Sequence, residues 1–291
     1  MCRMLALRFV EGARRLADEL IDSTVEASVN DPYLERLSGN QRHCHGYGFA
    51  LARRIRGSWE VIKGRFDAAP WKSGEEACDA NLKALGEAAE ELKGLLKRGD
   101  EYALILHSRR TGSEPRGVNS AHPFSGEVVL NGVNGPELFE AYLSHNGGVK
   151  KAELAALLGL ADPDLYTDSN VLLKFLLSRV DRRATRELRE SLRAAIREAV
   201  PYGLSSLDML VMFVGQSTAP MLFAAGYVKS SDENRWAYYE PVLVRGNGLS
   251  GYVSSTVRDV ALGRRVAVEF LSGRNRFLSE LSPNGIESLE V

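Results

Sequence analysis

Apolar positions in this chain recur with two spacings, and the balance between them shifts along its length. Near the start, RMLALRFV at Arg3–Val10 is an apolar run with the length and residue types of a strand. Ala13–Ser28 carries apolar residues three and four apart and predicts a helix. Tyr47–Arg54 (YGFALARR) predicts another strand. Glu75–Lys97 predicts a long amphipathic helix, with Leu82, Leu85, Ala89 and Leu92 in one stripe. Tyr102–His107 (YALILH) predicts a short buried strand, and Val128–Asn131 and Leu138–Ser144 are strand-like runs around Asn-Gly turns. Helical spacing returns at Lys150–Leu158, Asn170–Ser178 and Thr185–Ala199. From Leu207 onward the runs LDMLVMFVG, APMLFAAGYV, RWAYYEPVLV, GYVSST and RVAVEFLSG follow. Their Tyr, Val and Phe content and their Gly, Asn and Ser punctuation predict an antiparallel sheet. Strands, then helices, then strands imply an α+β layered architecture.

Composition narrows the function classes. No linker and no internal repeat divides the 291 residues, so 1–291 reads as one mixed unit. With 44% hydrophobic and 26% charged residues the chain is neither disordered nor fibrous. A net charge of −1 gives no general attraction to nucleic acid or to an anionic membrane. No apolar run reaches the ~18 residues of a membrane helix. Arg3, Arg8, Glu11, Arg14 and Arg15 interrupt the start of the chain, unlike a secretory leader. Cys2, Cys44 and Cys78 are too few and too scattered for a disulfide framework, and the expected location is the reducing cytoplasm.

The five histidines, His43, His45, His107, His122 and His145, all lie in the first half. Each sits at the end of a predicted strand, in HCHGYGF, LHSRRTG, NSAHPF or SHNGGV. Singly, each reads as an ordinary polar loop residue; together they point to a site built on strand ends. Cys2 is the second signal. Removal of Met1 would make it the first residue, with its own α-amine beside its thiol. An α-amine of pKa ~7.7–8.0 serves as a base near neutrality, and a thiolate is the strongest side-chain nucleophile. Taken alone, a Cys at position two of a buried strand reads first as a packing residue.

MCRML, HGYGF, HSRRTG, NSAHPF, SHNGGV and TDSN occur in one order along the chain. That series resembles the class II glutamine amidotransferases of the N-terminal-nucleophile hydrolase superfamily, in particular the compact stand-alone members that begin MCR-L. The resemblance implies a four-layer αββα sandwich of two antiparallel sheets, with Cys2 opening a central strand. It implies Cys2 as nucleophile and Asn146 and Gly147 of HNG as the oxyanion hole. Arg109 would grip the glutamine α-carboxylate, Asp168 the α-ammonium, and His107 would stand with them. His45, Asn119, His122 and His145 match supporting positions. The chemistry fits these types: an Arg fork suits a carboxylate, an Asp an ammonium, and amide N–H groups a developing oxyanion. The chain departs from the family pattern at Arg110, Thr111 and Gly112, and at Asn170, where a Glu is usual.

The implied reaction is glutaminase chemistry through a Cys2 thioester, releasing ammonia, with no cofactor and no metal. An ammonia-accepting synthase would then be a second polypeptide. Two alternatives stay open: hydrolysis of another γ-glutamyl amide, and a non-catalytic regulatory or scaffolding subunit that keeps the fold. Asn131-Gly132 is a rival to Asn146-Gly147, although its setting in VLNGVNG reads as a hairpin turn. His43 and His45 would share one face of a strand as metal ligands, but no partner Cys pair is spaced to complete a site. Arg189, Arg193 and Arg197 recur every four residues among glutamates and read as a solvated helix face. Trp59, Trp71 and Trp236 are dispersed and read as core or subunit-contact residues.

Overall fold

The computed structural model describes residues 2–111, 117–132, 135–271 and 275–291. Expectations that fall on Met1, Gly112, Val133, Asn134, Ser272 or Gly273 lie outside them. Strand β1 (Cys2–Val10) leads through a 3-10 turn into α1 (Arg14–Val29) and the short α2 (Pro32–Ser38). β2 (Tyr47–Ile55) and β3 (Ser58–Phe66) form a hairpin, followed by α3 (Gly74–Leu95) and β4 (Glu101–Arg109). β5 (Phe124–Gly132) pairs with β6 (Gly135–Val149). Helices α4 (Lys151–Leu157), α5 (Asp168–Val180) and α6 (Leu188–Ala199) come next, then β7 (Gly203–Val214), β8 (Met221–Gly226) and α7 (Glu233–Tyr239). The chain continues with β9 (Pro241–Gly246), β10 (Leu249–Ser254), α8 (Ser255–Gly263), β11 (Glu269–Leu271), β12 (Phe277–Ser282) and β13 (Gly285–Glu290).

Two antiparallel sheets result, in the orders β11-β9-β10-β1-β4-β2-β3 and β13-β12-β8-β7-β6-β5. Three apolar cores separate four layers, as the αββα expectation requires. Leu5, Leu7 and Phe9 of β1 pack outward against Ala17 and Leu20 of α1, Leu82 and Leu85 of α3 and Val257 of α8. Cys2, Met4 and Ala6 point the other way, into a core shared with Tyr142, Leu210 and Met212 of the second sheet. The outer face of that sheet carries α4, α5 and α6 through Leu154, Leu172, Phe175, Leu192 and Ile196. A strand buried on both faces has no polar alternation, which is why β1 and the second half of β7 (Met209–Val214) are near-continuous apolar runs. Each fully buried Leu or Phe there contributes roughly 1.5–3 kcal/mol.

The structure corrects several expectations. RWAYYEPVLV is not one β run: Asp232 caps α7 by accepting from Arg235 N at 2.8 Å, and Pro241 starts β9. The capping Asp outweighs the aromatic and β-branched content around it. The short α2 and strands β3, β12 and β13 lie in stretches without a clear period. Cys44 and Cys78 form a disulfide that ties the segment before β2 to α3. Scattered spacing did not forbid it, because helix α3 folds back beside that segment. A disulfide is unusual in a reducing cytoplasm, so the cysteines lend the cytoplasmic expectation no support. Arg189 pairs with Glu287, and Arg193 and Arg197 reach the Glu290 carbonyl at 3.5 and 3.3 Å. The arginine row of α6 thus clamps β13 rather than facing solvent alone. No helix among the described residues is long and apolar enough to cross a membrane.

Candidate active site

Cys2 opens β1, the fourth of seven strands, and stands opposite Arg109 at the end of β4. Register puts both side chains on the face turned toward the second sheet. Across the gap, β6 and β7 diverge at a bulge between Gly147 and Val149. Bulges re-aim the groups beside them and recur next to active sites. Gly147 has φ +144°, and a Cβ there would lie 1.9 Å from the Ser206 carbonyl oxygen, so only glycine fits. Asp168 is the first residue of α5, whose N-cap Thr167 accepts from Asn170 N at 3.2 Å. A helix N-terminus favours a carboxylate. Asp168 Oδ2 accepts from Val149 N at 3.2 Å and Oδ1 from Ser169 N at 2.7 Å.

One cavity of about 340 Å³ is lined by Cys2, Arg109, Arg110, His122, His145, Gly147, Thr167, Asp168 and Tyr239, among others. These residues come from six separated stretches of sequence and meet at one opening between the sheets. Asn146 lies next to Gly147, 2% exposed, on the face of β6 that carries Tyr142 toward Cys2. Asn131 is far from this place. It sits in the β5–β6 hairpin, exposed, with its amide donating to the Arg182 carbonyl.

The histidines divide by role. His107 and His122 are both buried, with ring centroids 4.2 Å apart and planes tilted by 34°; His122 lines the cavity beside Arg109 and Cys2. Burial first, and then the neighbouring His107 and Arg109, hold His122 well below the usual imidazole range. His145 accepts from the Ser169 hydroxyl at Nδ1, 3.0 Å, and Nε2 faces the Ser206 carbonyl at 3.4 Å. Burial lowers its pKa although Asp168 pulls the other way, so it is a neutral strut between α5 and β7. His45 lies outside the cavity. Its backbone N–H donates to the Arg109 carbonyl at 2.8 Å, and its ring accepts from Thr111 N at 3.1 Å. It holds the strand end that carries Arg109. Asn119 is exposed on a 3-10 turn and does not line the cavity.

Burial alone would push the Cys2 thiol up. The charged surroundings of Cys2, His107 included, outweigh it, and the thiol lies well below its ordinary value. A thiol biased toward thiolate inside a cleft is the state a nucleophile needs.

Sequence reasoning passed over the support behind Cys2. Arg3 is fully buried, donates from Nε to Asp31 Oδ2 at 2.6 Å, and lies over the Tyr238 ring at 4.2 Å. Asp31 also takes His43 Nε2 at 2.7 Å and the Thr256 hydroxyl at 2.7 Å, and caps α2 through Tyr33 N and Leu34 N. Burial raises the Asp31 pKa, but Arg3, His43 and Thr256 bring it far below the carboxylate range. Tyr238 closes the set by donating to the Cys2 carbonyl at 3.4 Å. The available signal was Arg3 itself, a charge inside an apolar strand, which demands a buried partner. His43 and His45 go to different partners, and no group of three metal-ligating side chains occurs among the described residues. Trp59 packs beside the inter-sheet core and Trp236, on α7, beside the small cluster that includes Leu34 of α2, whereas Trp71 is exposed.

No protein-family model matches the sequence, and no curated protein is significantly similar to it. Among solved structures, the chain is similar to a glutamine aminotransferase class-II domain protein from Silicibacter pomeroyi. Identity is 16%, the match covers 99% of this chain and 98% of that one, and the TM-score is 0.41. The four-layer sandwich itself is read from the strand pairings and cores above.

Proposed function

We propose that this chain is an amidohydrolase that cleaves the side-chain amide of L-glutamine, or of a closely related γ-glutamyl amide, through a thioester on Cys2. The observation that carries the reading is the convergence of Cys2, Arg109, Gly147 and Asp168 on one cavity although they lie far apart in sequence. In this reading Met1 is removed, and the α-amine of Cys2 takes the thiol proton. The thiolate attacks the amide carbon while the Gly147 N–H and the Asn146 amide stabilise the oxyanion, each donor being worth about 2.7–4 kcal/mol. The amine returns the proton to the leaving nitrogen, ammonia departs, and water cleaves the thioester. Arg109 and Asp168 place the substrate by its α-carboxylate and α-ammonium. A partner that consumes the ammonia, and a cytoplasmic setting, belong to the same proposal.

The test is a chain shown by intact mass to begin at Cys2, assayed for ammonia from glutamine and from a panel of γ-glutamyl amides. A glutamine-analogue electrophile should add one mass increment, lost in Cys2→Ala together with all activity. A few per cent of activity retained in Cys2→Ala would place the nucleophile elsewhere. A folded, processed chain that hydrolyses none of the panel would favour a non-catalytic subunit.

A further inference from the structure

Asp208 is a carboxyl that no step above uses, and it is fully buried. It sits on β7 directly opposite Asn146 of β6. Neighbouring pairs in the same register, Tyr142 with Met212 and Ser144 with Leu210, show which face this is: Tyr142, Met212 and Leu210 all belong to the inter-sheet core that contains Cys2. Residues directly opposite on one face have Cβ atoms about 4.5–5.5 Å apart, so the two side chains are within reach of each other. Neither carboxyl oxygen of Asp208 nor Oδ1 of Asn146 makes a hydrogen bond of ordinary geometry to a donor among the described residues, and all three atoms are closed off from solvent. The Ser206 hydroxyl nearby accepts from the Asp208 backbone N–H at 3.2 Å.

A buried carboxylate without well-formed hydrogen bonds is far costlier than a neutral acid. Burial raises the Asp208 pKa well above the carboxylate range, with Ser206, the Tyr227 backbone and Arg3 opposing it only in part. A neutral acid carries one O–H donor, and the amide oxygen across the strand pair is an acceptor in want of one. We propose that Asp208 is a positioning residue of this site, holding the Asn146 carboxamide oxygen from across the strand pair so that the amide NH2 turns toward the oxyanion formed at Cys2. This rests on the amidohydrolase reading above. A carboxamide oxygen left unheld can exchange places with its nitrogen, and the oxyanion would then meet an acceptor.

The test compares Asp208→Leu with Asp208→Asn in chains beginning at Cys2, each checked for folding by thermal unfolding. Leu replaces the acid by an apolar group of similar volume and removes the donor. It should lower kcat by about 10²-fold with KM within about twofold, the signature of a contact made in the transition state. Asn keeps an N–H donor and should rescue kcat to within about tenfold of wild type. In an Asn146→Ala background, Asp208→Leu should cost nothing further, because the residue acts through Asn146. A folded Asp208→Leu enzyme with wild-type kcat, or an Asn variant that falls as far as Leu, overturns the assignment. The Asn variant decides the matter even should Leu not fold. Failure of the underlying reading shows separately, as a processed wild-type chain without turnover.

Discussion

Gly147→Ala perturbs one atom at the place where fold and site meet. Gly147 has φ +144°, a region L side chains rarely adopt, and the added Cβ would lie 1.9 Å from the Ser206 oxygen and 2.6 Å from its carbon. Both are backbone atoms of β7, so no rotamer change relieves the clash. A residue forced into such a conformation costs on the order of 1–3 kcal/mol, and overpacking a tight contact costs about as much again. The sum, about 4 kcal/mol, is large against a typical native stability of roughly 5–15 kcal/mol. Gly148→Ala is the internal control. Gly148 does not have positive φ, and its Cβ would meet Asp168 Oδ2 at 3.6 Å and Leu204 at 3.7 Å, ordinary contacts. Its expected cost is below about 1 kcal/mol, as for unstrained sites. Urea unfolding followed by far-ultraviolet circular dichroism measures both. If the two variants fall within about 1 kcal/mol of each other, the bulge is not strained in the way described, and the proposed donor N–H of Gly147 loses its geometric basis.

Other expectations follow from the same geometry. Asn146→Ala should lower kcat for amide hydrolysis by about 10²–10³ with little change in KM, whereas Asn131→Ala should leave kcat nearly unchanged; steady-state kinetics on both decides which Asn-Gly serves the site. His43, held at about 3 by burial despite Asp31, stays neutral in the fold but takes a proton near pH 6.5 when unfolded. The unfolded state then binds more protons, so stability falls as pH drops from about 6.5, by up to ~1.4 kcal/mol per pH unit. Urea titrations at pH 7 and pH 5 should therefore show about 2 kcal/mol less acid sensitivity in His43→Gln than in wild type, and equal sensitivity would remove His43 from the account. Cys78→Ser opens the loop of sequence separation 34 closed by Cys44 and should cost about 2–4 kcal/mol in the same unfolding assay; an unchanged midpoint would mean that the bridge adds nothing to the fold.

Elements with a strong period are legible in the amino-acid pattern. Leu82, Leu85, Ala89 and Leu92 all face the core from α3, and RMLALRF is buried along β1, with Val10 at its end exposed. Short elements are harder to read. Asp31-Pro32 and Asp232 start α2 and α7 through single capping contacts, a signal that carries no period and is hidden among aromatic residues. The site is legible as a set of residue types at strand ends, because the motifs around Cys2, Arg109, His145 and Asp168 have local order. Its scaffold is not. Arg3, Asp31, His43 and Thr256 come from four separate segments, and nothing in their local spacing links them.

By itself, then, the chain's pattern determined that strands flank a helical middle, which faces of those elements are apolar, and which polar groups gather where strands end. Periodicity reports that a face must be buried, but not what buries it. Only the tertiary structure decided that Cys2 pairs with Arg109, that Asn146 rather than Asn131 lies beside the cavity, that Cys44 meets Cys78, and that Asp208 stands across from Asn146. Each of these is a pairing between segments distant in sequence. Strand register and the stacking of two sheets set such pairings, since a shift of one residue would turn every side chain to the opposite face.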